Sequence, residues 1–269
     1  DSSVTGVQTC ALPIWDLVRV PPIRTAERHV GSVAPVLELP VLFEDRSLLA
    51  VDKPAGIAVH GGSGVSFGVI ERMRASRPDL AYLELVHRLD RETSGVLLLA
   101  KRRSALTGMH AALREGRTEK QYLTLAKGHW HAAKRVADFP LRKFINAAGE
   151  RRVNVDPEGQ ASVTIFRKLR AVGDCTLLSA ELRTGRTHQI RVHLAHLGFP
   201  IAGDDKYGDF AWNRELARQG LKRMFLHAVQ FGFDHPISGE RVSIESPLPD
   251  SLSRFLEQPD AMAQTDAML

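Results

Sequence analysis

The sequence predicts a mixed α+β domain, built mainly on antiparallel strands and spanning about residues 40–258. Short apolar or alternating segments of strand length recur along it, separated by Gly, Pro and Asp turn chemistry. Two pairs of these segments, 161–171 with 175–183 and 223–233 with 241–248, flank short turns, as antiparallel neighbours do. Helical spacing is confined to three segments, 65–76, 103–117 and 187–198.

The elements follow in order. Residues 41–60 read as two or three short strands, with "EDR" as the first turn. "KPAG" makes a second, Pro54 having its φ pre-set and Gly56 being free to take a positive one. After "GGSG", the stretch "VSFGVIERMRAS" predicts a helix with Ser66 as its cap. "GVLLLAK" (95–101) is an unbroken apolar run, the pattern of a strand buried on both faces. In the helix 103–117, Leu106, Met109, His110 and Leu113 share a face and Gly116 is the stop. A strand at 120–128 comes next. The helix 187–198 turns Ile190, Leu194 and Leu197 inward and ends at Gly198.

Composition narrows the function classes. Lys and Arg exceed Asp and Glu by five, which permits a polyanionic partner without proving one. No apolar stretch approaches the roughly 18 residues of a membrane span, so no membrane association is expected. Two cysteines, Cys10 and Cys175, can build neither a disulfide framework nor a cysteine-rich zinc site. A reducing, cytoplasmic compartment is expected. "VTGVQTCALPI" (4–14) lacks the positive flank of a signal peptide and resembles a translated sequencing adapter, so residues 1–15 are expected to be foreign to the fold. Residues 16–40, with Pro21, Pro22, Pro35 and Pro40, read as a linker; 41–258 form the domain and 259–269 a tail.

Three polar clusters interrupt the apolar pattern: "HRLDRETSG" (87–95), "KQY" (120–122) and "RTGRTHQIRVHLAHLGFPIAGDDKYG" (183–208). The first runs straight into the apolar strand, where an idle carboxylate would be costly to bury. Taken singly, each has a bland reading. An Asp beside an Arg is more often a structural ion pair than a catalytic one, Tyr122 an ordinary strand aromatic, and Arg191 a solvated helix residue. Other chemistries fit poorly. His188, His193 and His196 lie five and three apart with no acidic partner in their helix, so no metal site is expected. "HGGSG" lacks the ending of a phosphate-cradling loop, and "TSG" lacks the elbow of a serine hydrolase. "KRR" (101–103) reads as a solvated strand end.

Together, and in this order, the clusters resemble the RluA-type family of RNA pseudouridine synthases, over about residues 16–258. HRLDxxTSG, K-x-Y, TGRxHQIRVH and GDxxYG all stand complete. The resemblance implies a pseudouridine synthase fold: a mixed, mainly antiparallel sheet flanked by helices and loops around a central catalytic cleft. It implies an isomerase that detaches a uracil from its ribose, turns it and rejoins it through C5, with no cofactor or metal. Asp90 is the implied carboxylate at C1′, attacking it or removing a proton from C2′; Arg191 is its partner and Tyr122 the platform for the base. Arg88, His87, Arg186 and His188 are the implied RNA contacts. Residues 18–28 and 58–71 look most like members acting on 23S ribosomal RNA, which carry an N-terminal S4 domain; that domain is expected to be missing here, and the chain is expected to be a monomer. The alternatives are a related synthase with other rRNA or tRNA targets, or a catalytically silent RNA-binding module, against which the intact Asp90, Tyr122 and Arg191 argue.

Overall fold

The computed structural model describes residues 34–62 and 65–257. The expectations for residues 1–15, for most of the linker and for the tail fall outside that range. Of the linker, residues 34–40 carry no regular structure, and Leu37 and Leu39 pack against the core. Strands β1 (Val41–Glu44) and β2 (Leu48–Lys53) pair antiparallel. The Asp45 carboxylate closes their turn by accepting from the amides of Ser47 and Leu48, both at 2.7 Å. The two-residue strand β3 (Glu84–Leu85) and β2 both bond to β4 (Ser94–Ala100).

Every residue of β4 is buried, as its apolar run predicts. Because successive side chains point to opposite faces, β2 and β4 feed two cores. Leu49, Val51, Leu97 and Leu99 join one, Leu48, Ala50, Leu98 and Ala100 the other. Helix α1 (Val69–Ser76) covers the first with Val69, Ile70 and Met73; α2 (Arg103–Arg114) covers the second with Ala105 and Met109. The cap of α1 differs from the sequence reading. The helix starts after Gly68, too late for Ser66 to cap it, and the Glu71 carboxylate accepts from the amides of Gly68 (2.8 Å) and Gly61 (3.1 Å) instead.

The second half of the sheet comprises β5 (Thr118–Lys127), β6 (Lys134–Asp138), β9 (Val163–Val172), β10 (Cys175–Leu182), β11 (Leu226–Asp234) and β12 (Arg241–Glu245). The strand order is β1-β2-β4-β11-β5-β10-β9-β6, with β12 added to β11. The β4–β11 contact is parallel, at Ser94 with His227 and Gly95 with Ala228; the other pairings are antiparallel. Both predicted strand pairs, β9–β10 and β11–β12, are present. The third predicted helix is α3 (Gln189–His196), followed by α4 (Phe210–Arg218) and α5 (Asp250–Glu257). The last two cover a third core around Leu125, Leu177 and Phe225.

A separate ribbon, β7 (Leu141–Ile145) and β8 (Arg151–Val155), stands outside the main sheet. Leu141 and Val153 seat it on Val192 of α3. Its remaining side chains are largely in water, so the alternation that reveals a half-buried strand is absent from its sequence. Among the described residues no helix is long and apolar enough to cross a membrane.

The core also holds histidines. His193 bonds Ser162, Thr164 and the Phe139 carbonyl; His227 bonds Ser94 and the Ser246 carbonyl. Burial pushes both below the usual histidine range, and His87 down to about 3. The unfolded chain, whose histidines titrate near ~6.5, therefore binds more protons than the folded one as the pH falls. The melting temperature is expected to drop by several degrees between pH 7 and pH 5, and a flat profile there would contradict the burial of neutral imidazoles.

Candidate active site

The polar segment before β4 is accounted for residue by residue. Leu89 is buried in the first core. The Arg91 carbonyl accepts from the Gly56 amide (2.8 Å) and from Nζ of Lys53 (3.1 Å). Lys53 is fully buried and donates to the carbonyls of Pro54 and Ile57 as well, both at 2.8 Å. The predicted "KPAG" turn thus clamps the loop from beneath. Ser94 is held by His227 Nδ1 (2.9 Å) and the Arg223 guanidinium (2.7 Å). Gly95 has φ +113°, and a Cβ there would lie 2.2 Å from the Ala228 carbonyl oxygen, so only glycine lets β4 meet β11. Between these anchors Asp90 faces open space.

That space is a cleft of about 490 Å³, within the range of small-molecule sites, roughly 300–1,000 Å³. Asp90, Tyr122, Arg186, His188 and Arg191 all line it, so residues far apart in sequence are brought together. Tyr122, Leu182 and Leu226 give it an apolar floor. Burial, with the Asp90 charge, pushes the Tyr122 phenol well above its usual range and keeps it protonated. Two further depressions adjoin. One, of about 310 Å³, lies beside Asp90 and His60; the other, of about 450 Å³, runs along Arg142 and Lys143 of the ribbon. The exposed Arg88 lines all three.

Arg191 is the hub. Its Nη1 reaches Asp90 Oδ2 at 3.3 Å, while Nε and Nη2 form a two-pronged pair with Asp204 at 2.8 and 2.7 Å. Nη2 also meets Asp205 at 3.1 Å. Burial works against the guanidinium charge, and the three carboxylates more than offset it, so its pKa rises. Burial likewise opposes the charge of Asp204, and Arg191 and the amides of Lys206 and Tyr207 override it and hold its carboxyl below the usual range. Sequence reasoning singled out the GDxxYG loop and gave Asp204 no part in the site. A lone carboxylate in a loop carries no sign of the arginine it will meet.

Two of the expected RNA contacts, His87 and His188, line the cleft and have protein partners as well. His87 stacks on Phe231, with ring centroids 4.8 Å apart, and its Nε2 accepts from the Leu98 amide (3.1 Å). It is neutral and braces the loop from the cleft wall. His188 turns inward: its Nδ1 meets the Tyr207 hydroxyl at 2.8 Å and its Nε2 lies 3.9 Å from Asp90. It is the one non-glycine with positive φ (+53°) among the described residues, a strain typical of functional positions. Arg88 and Arg186 stay exposed at the rim. His193 is walled in by its own partners and His196 packs on Phe139, so the three histidines do not converge.

This fold and this arrangement define a class. The family model described as RNA pseudouridylate synthase matches residues 47–196, and the chain belongs to that family of isomerases. Among its relatives, Ribosomal large subunit pseudouridine synthase C of Escherichia coli (strain K12) is 49% identical over 255 residues, 92% of this chain and 80% of that protein. The protein of the same description from Pasteurella multocida is 48% identical over 247 residues, covering 90% and 76%. The solved structure of Human RNA Pseudouridylate Synthase Domain Containing 1 superposes with a TM-score of 0.65 at 25% identity, over 81% of this chain and 86% of that one.

The two carboxylates on Arg191 differ in consequence. Asp204→Asn leaves a buried guanidinium without its main partner and should cost about 3–5 kcal/mol of stability. Asp90→Asn should melt close to the parent, because Arg191 keeps Asp204 and Asp205. Thermal melting of both variants decides this, and equal losses would make Asp90 as structural as Asp204.

Proposed function

We propose that this chain converts uridines of 23S large-subunit ribosomal RNA to pseudouridine, with Asp90 as the reacting carboxylate. The observation that carries the substrate is the 49% identity, over 92% of the chain, to large-subunit pseudouridine synthase C. What favours Asp90 is accessibility. Its side chain is 22% exposed to the cleft, whereas Asp204 is 1% exposed and already engaged by Arg191 and two amides. Asp205, also bound to Arg191, is exposed but lies outside the main cleft; of the three aspartates on the guanidinium, Asp90 alone lines it.

Cleavage at C1′ leaves the sugar electron-deficient, and a carboxylate is suited to meet it. Arg191, donating to that carboxylate from one side, keeps it aimed into the cleft. A base must leave its stack to enter the cleft, and Tyr122 with its apolar neighbours offers a surface to receive it. Arg88 stands where the three depressions join, a position suited to holding the displaced nucleotide or its phosphate. Arg186, Arg142 and Lys143 extend a basic path toward the ribbon, fitted to the RNA backbone.

Pseudouridine mapping of 23S rRNA from cells with and without the gene tests the substrate: discrete sites should revert to uridine without it, and an unchanged map would refute the assignment. On the purified chain, Tyr122→Phe should retain RNA binding, whereas Tyr122→Ala should lose about 1–3 kcal/mol of it and slow conversion. An alanine variant as active as the parent would reduce Tyr122 to a strand residue.

A further inference from the structure

Three cationic side chains are buried among the described residues: Lys53, Lys120 and Arg191. Lys53 is bonded to three carbonyls and Arg191 to three carboxylates. Lys120 is 9% exposed and has neither a hydrogen bond nor an ion pair among the described residues. Its stem is buried while its Nζ keeps contact with the cleft, so the ammonium has water and no protein partner. Burial pushes it below the usual lysine range. A ligand can complete such an arrangement.

Its position says which ligand. Lys120 precedes Tyr122 by two residues on β5, so both side chains leave the same face, about 7 Å apart at their bases, and both line the cleft. Its Nζ lies beside Gly185, where an added Cβ would stand 3.8 Å away. The neighbouring His87 is neutral and cannot pair with it. RNA phosphates stay with the backbone at the rim, where Arg88 and Arg186 are exposed. What enters the depth is the base.

The proposed reaction makes that base an anion. As Asp90 bonds to C1′, or takes the C2′ proton, the N1–C1′ bond breaks and its electron pair leaves with N1. The negative charge that Asp90 gives up then resides on uracil, shared with O2 and O4. It persists while the ring turns, until C5 bonds to C1′, Asp90 is released or returns its proton, C5 loses its proton and N1 gains one. We propose that Lys120 is a catalytic residue of this isomerisation, its ammonium donating hydrogen bonds to the carbonyl oxygens of the detached uracil anion. Three donors on a flexible four-carbon stem can follow a turning ring, which a fixed backbone amide cannot. The inference rests on the reading of Asp90 and uridine given above.

The test uses the full chain and a 23S rRNA transcript, with melting, RNA affinity and single-turnover rate measured on the parent, Lys120→Met, Lys120→Gln and Asp90→Asn. Both Lys120 variants should melt at or above the parent and bind RNA within about twofold of it, while the rate at saturating protein falls on the order of 10²–10³, the usual loss for one donor to a developing anion. A 5-fluorouracil anion needs less stabilisation, so cleavage of a 5-fluorouridine target should show a deficit at least several times smaller. An undiminished rate in a folded variant, or weakened binding with a normal rate at saturation, would overturn the proposal, the latter assigning Lys120 to a phosphate. A deficit identical for uridine and 5-fluorouridine would also overturn it. If the parent itself forms no pseudouridine, the functional reading fails and Lys120 with it; if the parent is active and Asp90→Asn is not, only the role of Lys120 is being judged.

Discussion

The structure turns on one guanidinium. Arg191 is buried, and a buried cation persists only with partners that replace its water. Asp204 supplies most of that replacement through two parallel hydrogen bonds, its own carboxylate being held by two amides of the 204–207 turn. This leaves the third edge of Arg191 for Asp90 at a longer 3.3 Å. A division of labour follows. One aspartate keeps the cation in the protein, and the other is left aimed and accessible.

That geometry requires the loop carrying Asp90 to be fixed from the opposite side, and the sheet provides this. The parallel contact between β4 and β11 comes at the residues that follow the loop, where Gly95 admits the Ala228 carbonyl. Ser94 adds His227 and Arg223, and Lys53 pins the Arg91 carbonyl. The polar residues of "HRLDRETSG" are thus divided between anchors and the one carboxylate they position. The two-sided burial of β4 serves the same end, since a one-residue slip would swap its side chains between the two cores and break the packing of both.

Much of this was legible in the sequence, unevenly so. The unbroken run of β4 and the strands β10 and β11 follow from apolar patterning, because they are buried along most of their length and burial leaves a pattern; their partners β9 and β12, only partly buried, are legible mainly from the turns that join them. β6, β7 and β8 leave little, being largely solvated. The start of α1 was misplaced because its capping carboxylate, Glu71, sits inside the helix and not before it. In the site, Asp90, Tyr122 and Arg191 stand out through their motifs, and the structure brings them to one cleft. His87 and His188, read as RNA contacts from their neighbours, line the cleft too, but their protein partners, Phe231 for one and Tyr207 with Asp90 for the other, appear only in the structure. Which way a side chain faces in a loop is decided by tertiary partners that no local spacing encodes. Lys120 was visible only as one letter of a motif; its isolation appears once its surroundings are known.

The β7–β8 ribbon is joined to the site at its root, where Leu141 and Val153 pack on Val192 of α3 and the Tyr207 hydroxyl accepts from the Val153 amide and meets His188, itself beside Asp90. Its tip, the Asn146–Glu150 turn, is closed by its own hydrogen bonds and touches none of these groups. The ribbon is therefore built as an outrigger with a tethered root and a free end. The free end can lengthen, shorten or change composition while the root keeps the geometry around Asp90 unaltered. A fold organised in this way leaves the tip free to vary without disturbing the residues around Asp90.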